Sequence, residues 1–170
     1  MIQTMILDIA PEKCTGCLLC ELYCSLSHEG RVIPDLARIS VLGDQNRQIL
    51  IPTSCIPCGN NPCITACPEP GAILKNDLGA VIIIEELCTA CGKCARACQI
   101  GAIKVHRLAG RGKKGKAIAL KCDQCGGDPL CVKVCPPNAI QICPETVAGQ
   151  GVHDRLLAAQ QVLEEAISHE

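Results

Sequence analysis

The sequence is nearly devoid of aromatic side chains: it has one tyrosine, Tyr23, and neither phenylalanine nor tryptophan. Aromatic rings usually supply much of the apolar area of a core, so aliphatic residues and something inorganic must fill the interior instead. A long apolar run is also missing. The longest, residues 80–84, falls far short of the ~20 residues that span a membrane, so no direct membrane span is expected. Residues 1–11 carry acidic Asp8 and no basic segment followed by an apolar stretch, so no secretory signal is expected and the compartment is read as cytoplasmic. Neither sign of charge dominates, the formal net charge being −1; this argues neither for nucleic acid nor for an acidic tail, and with no aromatics interleaving its basic stretch no nucleic-acid partner is expected. Catalytic constellations are absent too. There is no Ser/His/Asp arrangement, no phosphate loop and no Gly-x-Gly-x-x-Gly opening a helix, so the chain is expected not to be an enzyme on its own.

What the chain does have is cysteine, 17 in 170 residues. That density marks a disulfide scaffold in a secreted chain, whereas in a reducing compartment it points to metal-bound thiolates. Cys88, Cys91, Cys94 and Cys98 form an uninterrupted Cys-x2-Cys-x2-Cys-x3-Cys run. This is the bacterial iron–sulfur pattern, in which three thiolates hold one [4Fe–4S] cube and the fourth reaches another. Cys14, Cys17, Cys20 and Cys24 repeat the same gaps. Cys55, Cys58, Cys63 and Cys67 have a longer middle gap, as do Cys122, Cys125, Cys131 and Cys135, each filled by a Gly/Pro-containing insert. Pro68 and Pro136 follow the fourth cysteine of their groups, where groups one and three have Ser25 and Gln99. Zinc competes, since Cys-x2-Cys pairs also make zinc sites. A third cysteine close behind and a fourth after three more residues fit cubes better. Four cubes, each about −2 with its thiolates, would bring the net charge to about −9.

Between the groups the chain alternates short strands and turns. Residues 1–10 read as a strand; 38–42 and 47–51 flank a hairpin turn, as do 71–74 and 80–84. Residues 101–105 and 116–120 form a further pair around a basic, glycine-rich tip at 107–116, which reads as a solvated hairpin end or as a docking patch for an acidic partner or a phosphate. A strand over 138–142 echoes the segments after groups two and three, so a binding loop, short helix and strand repeat along the chain. From residue 149 the pattern changes: Val152, Leu156, Ala159, Leu163 and Ala166 fall at helical spacing. Such a stripe either lies back on the protein or docks into a partner or a second copy.

The fourth cysteines can be exchanged in two ways, group one with two and three with four, or in a nest with two and three inside one and four. The order of groups, their gaps, and the stretch from Lys121-Cys122-Asp123-Gln124-Cys125 to Val134-Cys135-Pro136 resemble the four-cluster electron-transfer subunits of molybdopterin and tungstopterin oxidoreductases, typified by the dimethyl sulfoxide reductase iron–sulfur subunit. The resemblance covers about residues 5–145. It implies an α+β fold of two pseudo-symmetric bacterial dicluster ferredoxin-like modules, with short helices and β-hairpins, plus a C-terminal helix. Residues 1–50 with 117–147 would make the outer module, 51–116 the inner one, and 148–170 a tail for docking or assembly. It further implies nested ligation of four [4Fe–4S] clusters. Cys14, Cys17, Cys20 and Cys135 would share one cluster, and Cys122, Cys125, Cys131 and Cys24 another. Cys55, Cys58, Cys63 and Cys98 would share a third, and Cys88, Cys91, Cys94 and Cys67 the fourth, with the Cys14 cluster nearest the catalytic subunit.

Cys24-Ser25, His28-Glu29-Gly30, Pro34 and Ala37-Arg38-Ile39 narrow the resemblance to the small subunits accompanying tungsten-dependent aldehyde oxidoreductases. Similar subunits serve carbon monoxide dehydrogenases and formate- or hydrogen-linked complexes. The implied partners are a catalytic pterin-dependent subunit and a flavoprotein or ferredoxin-linked subunit, with self-assembly through the terminal helix as a further reading and a free polyferredoxin as the alternative. Outside the groups, Cys143 reads as a small buried thiol. His28, His106, His153 and His169 share no ligand spacing. His28 reads as an ordinary turn residue or, being close to Cys24, as a hydrogen-bond partner near a cube that raises its potential; Tyr23 reads as a cover over a cluster, and Lys93 and Arg96 as surface residues of a short helix or as charges that tune the third cube.

Overall fold

Strands in this protein come in pairs, and among the described residues no sheet grows beyond two strands. The computed structural model describes residues 4–44, 46, 48–56, 58–107 and 117–168. Three of the ribbons are local hairpins where alternation and turn residues place them. They pair β2 (Ile39–Asp44) with β3 (Ile49–Ser54), β4 (Ile73–Lys75) with β5 (Val81–Ile83), and β6 (Lys104–Arg107) with β7 (Ala117–Leu120). Gly43 in β2 has φ +142°, and a Cβ there would come within 1.9 Å of the Ile49 carbonyl oxygen, so only glycine lets the two backbones meet.

The fourth ribbon is not local. β1 (Met5–Ile9) runs antiparallel to β8 (Ile140–Pro144), with Ile9 opposite Ile140. Backbone bonds from Ala10 to Ala139 and from Glu145 to Thr4, both 2.9 Å, extend the ladder at its two ends. A lone two-stranded ribbon is marginal in water. Here Ile6, Leu7, Ile9 and Ile140 are all but fully buried, so this one runs through the main core.

Four helices each carry the third cysteine of a group: α1 (Leu19–Glu29), α2 (Pro62–Thr65), α3 (Lys93–Ala97) and α4 (Leu130–Lys133). α1 lies against α4 and α2 against α3. The apolar interior divides in the same sense: Ile73, Val81 and Ile103 cluster with cysteines of groups two and three, apart from the main core.

The last helix, α5 (Glu145–Ser168), begins four residues before the change of pattern at 149. Gly149 and Gly151 hid its first turns, because glycine interrupts a helical pattern without ending it. α5 packs on β1, β3 and β8 and buries Val152, Leu156 and Leu163. Arg155 pairs with Asp8, and the Gln160 side chain donates to the Ile100 carbonyl at 3.1 Å. The centre of the stripe is therefore covered within the chain, whereas Val162 and Ile167, which widen it, are exposed among the described residues of α5. The basic tip lies, apart from Arg107, outside the described residues, as does His169. No helix among the described residues is long and apolar enough to cross a membrane.

Because Leu156 is fully buried, Leu156→Ala should lower the stability of the cofactor-loaded protein by about 2–5 kcal/mol. Ile167→Ala, on the exposed face, should stay within about 0.5 kcal/mol. Thermal unfolding of the two variants side by side checks this, and equal shifts would contradict the docking of α5.

Candidate metal centres

In each cysteine group the third sulfur sits on the second residue of a short helix: Cys20 in α1, Cys63 in α2, Cys94 in α3 and Cys131 in α4. Backbone N–H groups in a first turn have no partner inside the helix and favour negative charge. Burial raises the Cys20, Cys63 and Cys94 thiols, Cys20 to about 12, while the N–H of the next residue pulls each of them down. α1, α2 and α3 are each preceded by a left-handed residue, Leu18, Asn61 and Gly92. That kink turns the chain from the loop holding the first two sulfurs into the helix holding the third.

The first sulfur of a group is served in a second way. Two residues beyond it the backbone is again left-handed, at Gly16, Ala90 and Gln124. The Ala90 N–H donates to Cys88 Sγ and the Gln124 N–H to Cys122 Sγ, both at 3.4 Å, and the Gly16 N–H lowers the Cys14 thiol against burial. Group two differs, because the matching residue is Pro57, which has no N–H. Fourth sulfurs are reached from elsewhere, Cys24 by the Arg38 N–H at 3.2 Å and Cys98 by the Ala102 N–H at 3.3 Å.

Sulfurs from different groups converge. One pocket of about 300 Å³ is lined by Cys14, Cys17, Cys20 and Cys135 and by no charged side chain. A second, also about 300 Å³, has Cys24, Cys122, Cys125 and Cys131, and a third of about 320 Å³ has Cys67, Cys88, Cys91 and Cys94. In each, three sulfurs come from one group and one from another. The remaining four also neighbour one another: the Cys98 sulfur acts on the Cys55 and Cys63 thiols, and Cys58 acts on Cys63. Cys143 stands apart on β8, opposite Ile6.

Spacing between the sulfurs discriminates between metals. A single zinc ion with Zn–S near 2.3 Å gathers its thiolates to about 3.8 Å from each other. Among the described residues no three cysteine sulfurs lie within 4.8 Å of one another. Sets of soft thiolates spaced more widely than one zinc ion gathers them, with backbone donors aimed at the sulfur, suit an iron–sulfur cluster. The chain matches the model of the 4Fe-4S dicluster domain over residues 46–145. It belongs to the 4Fe-4S dicluster domain family. Its cofactors are accordingly [4Fe–4S] clusters.

Relatives of this dicluster chain extend well beyond the matched domain. It is 42% identical over 127 residues to the aliphatic sulfonate oxidoreductase, polyferredoxin-like subunit, of Pyrococcus furiosus, covering 75% of this chain and 69% of that one. It is 37% identical over 149 residues to the electron transport protein HydN of Escherichia coli, covering 77% and 82%. Formate hydrogenlyase subunit 2 of the same organism is 31% identical over 163 residues, covering 78% of each chain.

Around the Cys24 pocket the residues outside the groups behave unequally. The ring of His28 has Nδ1 2.9 Å from the Cys24 carbonyl and 3.8 Å from its sulfur, and Nε2 3.2 Å from Asp123 Oδ1. Asp123 also accepts from the Cys125 N–H at 2.9 Å. The pair ties α1 to the fourth cysteine loop, raising the His28 pKa and, against burial, lowering that of Asp123. His28 is thus more than a turn residue, and Asp123 is a supporting residue that the spacing of cysteines did not single out. Tyr23 corrects the reading of it as a cluster cover: it is 44% exposed on α1 and lines none of the three pockets. Lys93 and Arg96 lie on the exposed face of α3, as expected. His106 and His153 join no sulfur set, and His153 is buried in α5.

Asp123→Ala removes both acceptor contacts and should destabilise the loaded protein by about 1–3 kcal/mol. Asp123→Asn keeps an acceptor for the Cys125 N–H and should cost less. Denaturant unfolding followed by the visible absorbance checks the order, and an unchanged Asp123→Ala midpoint would show the tie to be idle.

Proposed function

We propose that this chain is the electron-transfer subunit of an oxidoreductase complex, relaying single electrons through four [4Fe–4S] clusters, with no substrate chemistry of its own. The observation that carries this reading is the convergence on each of three pockets of three cysteines from one group and one from another. The printed names of the relatives, a polyferredoxin-like subunit and an electron transport protein, agree with it. When bound, the clusters supply one-electron chemistry. The chain's own part is to exclude water from the sulfurs, aim N–H groups at them and set their separation.

Ligation is nested in this proposal. Cys14, Cys17 and Cys20 act with Cys135, and Cys122, Cys125 and Cys131 with Cys24. Cys55, Cys58 and Cys63 act with Cys98, and Cys88, Cys91 and Cys94 with Cys67. Two pseudo-symmetric modules result, residues 1–50 with 117–147 and residues 51–116, and the packing of α1 on α4 and α2 on α3 supports that division. Cys17 and Cys91 are exposed, whereas Cys122 is buried and Cys55 half-buried. Electrons then enter and leave through the Cys14 and Cys88 sets, and the other two form the interior of the relay. We assign the catalytic partner to the pterin-dependent aldehyde-type oxidoreductases, following the resemblance of residues 24–39, with a flavoprotein or ferredoxin at the far end. The formate hydrogenlyase relative favours a formate- or hydrogen-linked complex as the second reading.

Nested ligation has a direct check. Cys24→Ser and Cys131→Ser should alter the same cluster signal in the electron paramagnetic resonance spectrum of reduced protein, leaving the others in place. If Cys24→Ser altered the signal touched by Cys63→Ser instead, the groups would be paired consecutively.

Purification from the native host should bring the chain out with a larger subunit holding tungsten or molybdenum, and with about sixteen irons per copy of this chain. Elution as a lone brown protein would make it a diffusible polyferredoxin, and a dehydrogenase or hydrogenase partner without pterin would favour the second reading.

A further inference from the structure

α1 has two sides that shun water, and the chain covers one of them. The inner side holds Cys20, Cys24 and Ser25, all buried. On the outer side Leu19, Leu22, Tyr23 and Leu26 fall at i, i+3, i+4 and i+7, the spacing of a single helix face. Tyr23 is 44% and Leu26 43% exposed, and Leu19 and Leu22 are half-buried. The charged and titratable side chains of the helix are engaged elsewhere: Glu21 accepts from the Val41 N–H, Glu29 pairs with Arg38, and His28 reaches Asp123. The outer stripe therefore carries no charge, where a helix facing water ordinarily concentrates it.

The stripe begins at the rim of the Cys14 set. Leu18, just before α1, lines that pocket with Cys14, Cys17, Cys20 and Cys135, and Cys17 is exposed. Cys91, the other exposed cysteine, has different company. There α3 turns Lys93 and Arg96 to solvent, and Arg96 Nη1 comes within 3.3 Å of where a Cβ on Gly92 would stand. One end of the relay is thus apolar and uncharged at its mouth, and the other is cationic. The centre of a lasting protein interface is depleted of charge and enriched in aromatic residues, whereas a charged face suits steered, brief encounters. Exposed Lys13 and Arg31 lie before and after the stripe in sequence, where a polar rim belongs. A second copy of the chain fits poorly. α1 is roughly 16 Å long, so two such stripes laid together would cover on the order of a few hundred Å², short of the ~1,200 Å² of a stable interface. The stripe is the anchor of a wider contact, made by a partner that reaches past the helix.

We infer that the outer face of α1 seats the larger, lastingly bound subunit through an apolar, uncharged groove on that subunit, with Tyr23 and Leu26 as anchors and Cys17 covered by the same contact. The inference rests on the reading of this chain as a subunit of an oxidoreductase complex, and adds which surface the partner takes and what chemistry that partner presents. It accounts for the place of the sole aromatic residue, which sits on the surface of a protein whose core has none; tyrosine is among the residues that most often anchor interfaces. Cys17 is the one exposed cysteine of its set, so seating the partner here also shields that sulfur from water, and solvent exposure is among the determinants of a cluster's potential.

The test uses the complex purified anaerobically from the native host through a tagged copy of this full-length chain. Tyr23→Asp combined with Leu26→Asp should release the chain from the larger subunit, recognised by its bound metal, at unchanged iron content and cluster spectra. Lys93→Asp combined with Arg96→Asp should leave the two together. Should the α1 variant fail to load iron, a photoreactive benzoylphenylalanine replacing Tyr23 decides the matter. Illuminated in the intact complex, it should cross-link to the larger subunit, and the same group replacing Lys93 should not. An iron-replete α1 variant that stays bound would overturn the inference. So would a cross-link from position 23 to a second copy of this chain, no cross-link at all, or an equal one from position 93. Each of these leaves the subunit reading standing. Wild-type chain that emerges with no larger subunit would overturn that reading itself, and the inference with it.

Discussion

Burying a thiolate is costly, and this protein buries many of them together. Desolvation is the largest influence on the thiols of Cys14, Cys20, Cys55, Cys63, Cys94, Cys122, Cys125 and Cys131, and in every case it pushes toward the neutral form. A metal cluster reverses that preference, because only the thiolate is a good ligand. Metal binding and folding are therefore coupled: the pockets exist to hold deprotonated sulfur, and deprotonated sulfur is stable there only when the metal is present. The absence of phenylalanine and tryptophan sharpens the dependence. Two-stranded ribbons and helices of four or five residues are weak alone, so the groups they surround must contribute much of the cohesion.

Within that constraint each local feature has a reason in the sulfur it serves. Left-handed residues bend the loop between ligands, and helix starts present free N–H groups to the third sulfur. In groups one, three and four the residue two beyond the first cysteine gives its amide to that sulfur. Longer-range contacts then fix which groups meet. β1 pairs with β8, α1 packs on α4, and His28 reaches Asp123 across 95 positions of sequence. Arg38 adds to this tie, giving its N–H to Cys24 Sγ and its side chain to Glu29 and Glu85 at 3.4 and 3.7 Å.

Features governed by short spacing were legible in the sequence. The cysteine groups, three hairpins and the apolar stripe of α5 all follow from residues close together in the chain. Features governed by the meeting of distant segments were not. The β1–β8 ribbon has no turn to announce it, since its strands lie at opposite ends of the cysteine-bearing region. Cysteine spacing permits both consecutive and nested exchange of the fourth ligand, since each gives every set four sulfurs. Tyr23 shows the opposite error: as the sole aromatic, next to Cys24, it invites a role at a cluster, but one helical position turns it to solvent. Asp123 and Lys121 flank Cys122 and look like ordinary surface charges in sequence. Their importance comes from what the other groups bring to them.

The repeat also has a limit that explains where it breaks. Copies of one loop–helix unit can each aim an amide at the third sulfur of their own group. At the seam between the two sets of groups, sulfurs of neighbouring units lie close enough to repel, as Cys55 and Cys122 do, and what surrounds them there no longer repeats. Lys121 precedes Cys122 in the fourth group, and the first, second and third groups have Lys13, Ser54 and Leu87 at that position. Lys13 is exposed and Leu87 is 48% exposed, whereas Ser54 is buried but neutral. Of these four equivalent places only the fourth holds a buried charge, its ammonium set on the carbonyls of Val81 and Cys122 and beside a cavity that Arg38, Glu85 and Asp123 also line.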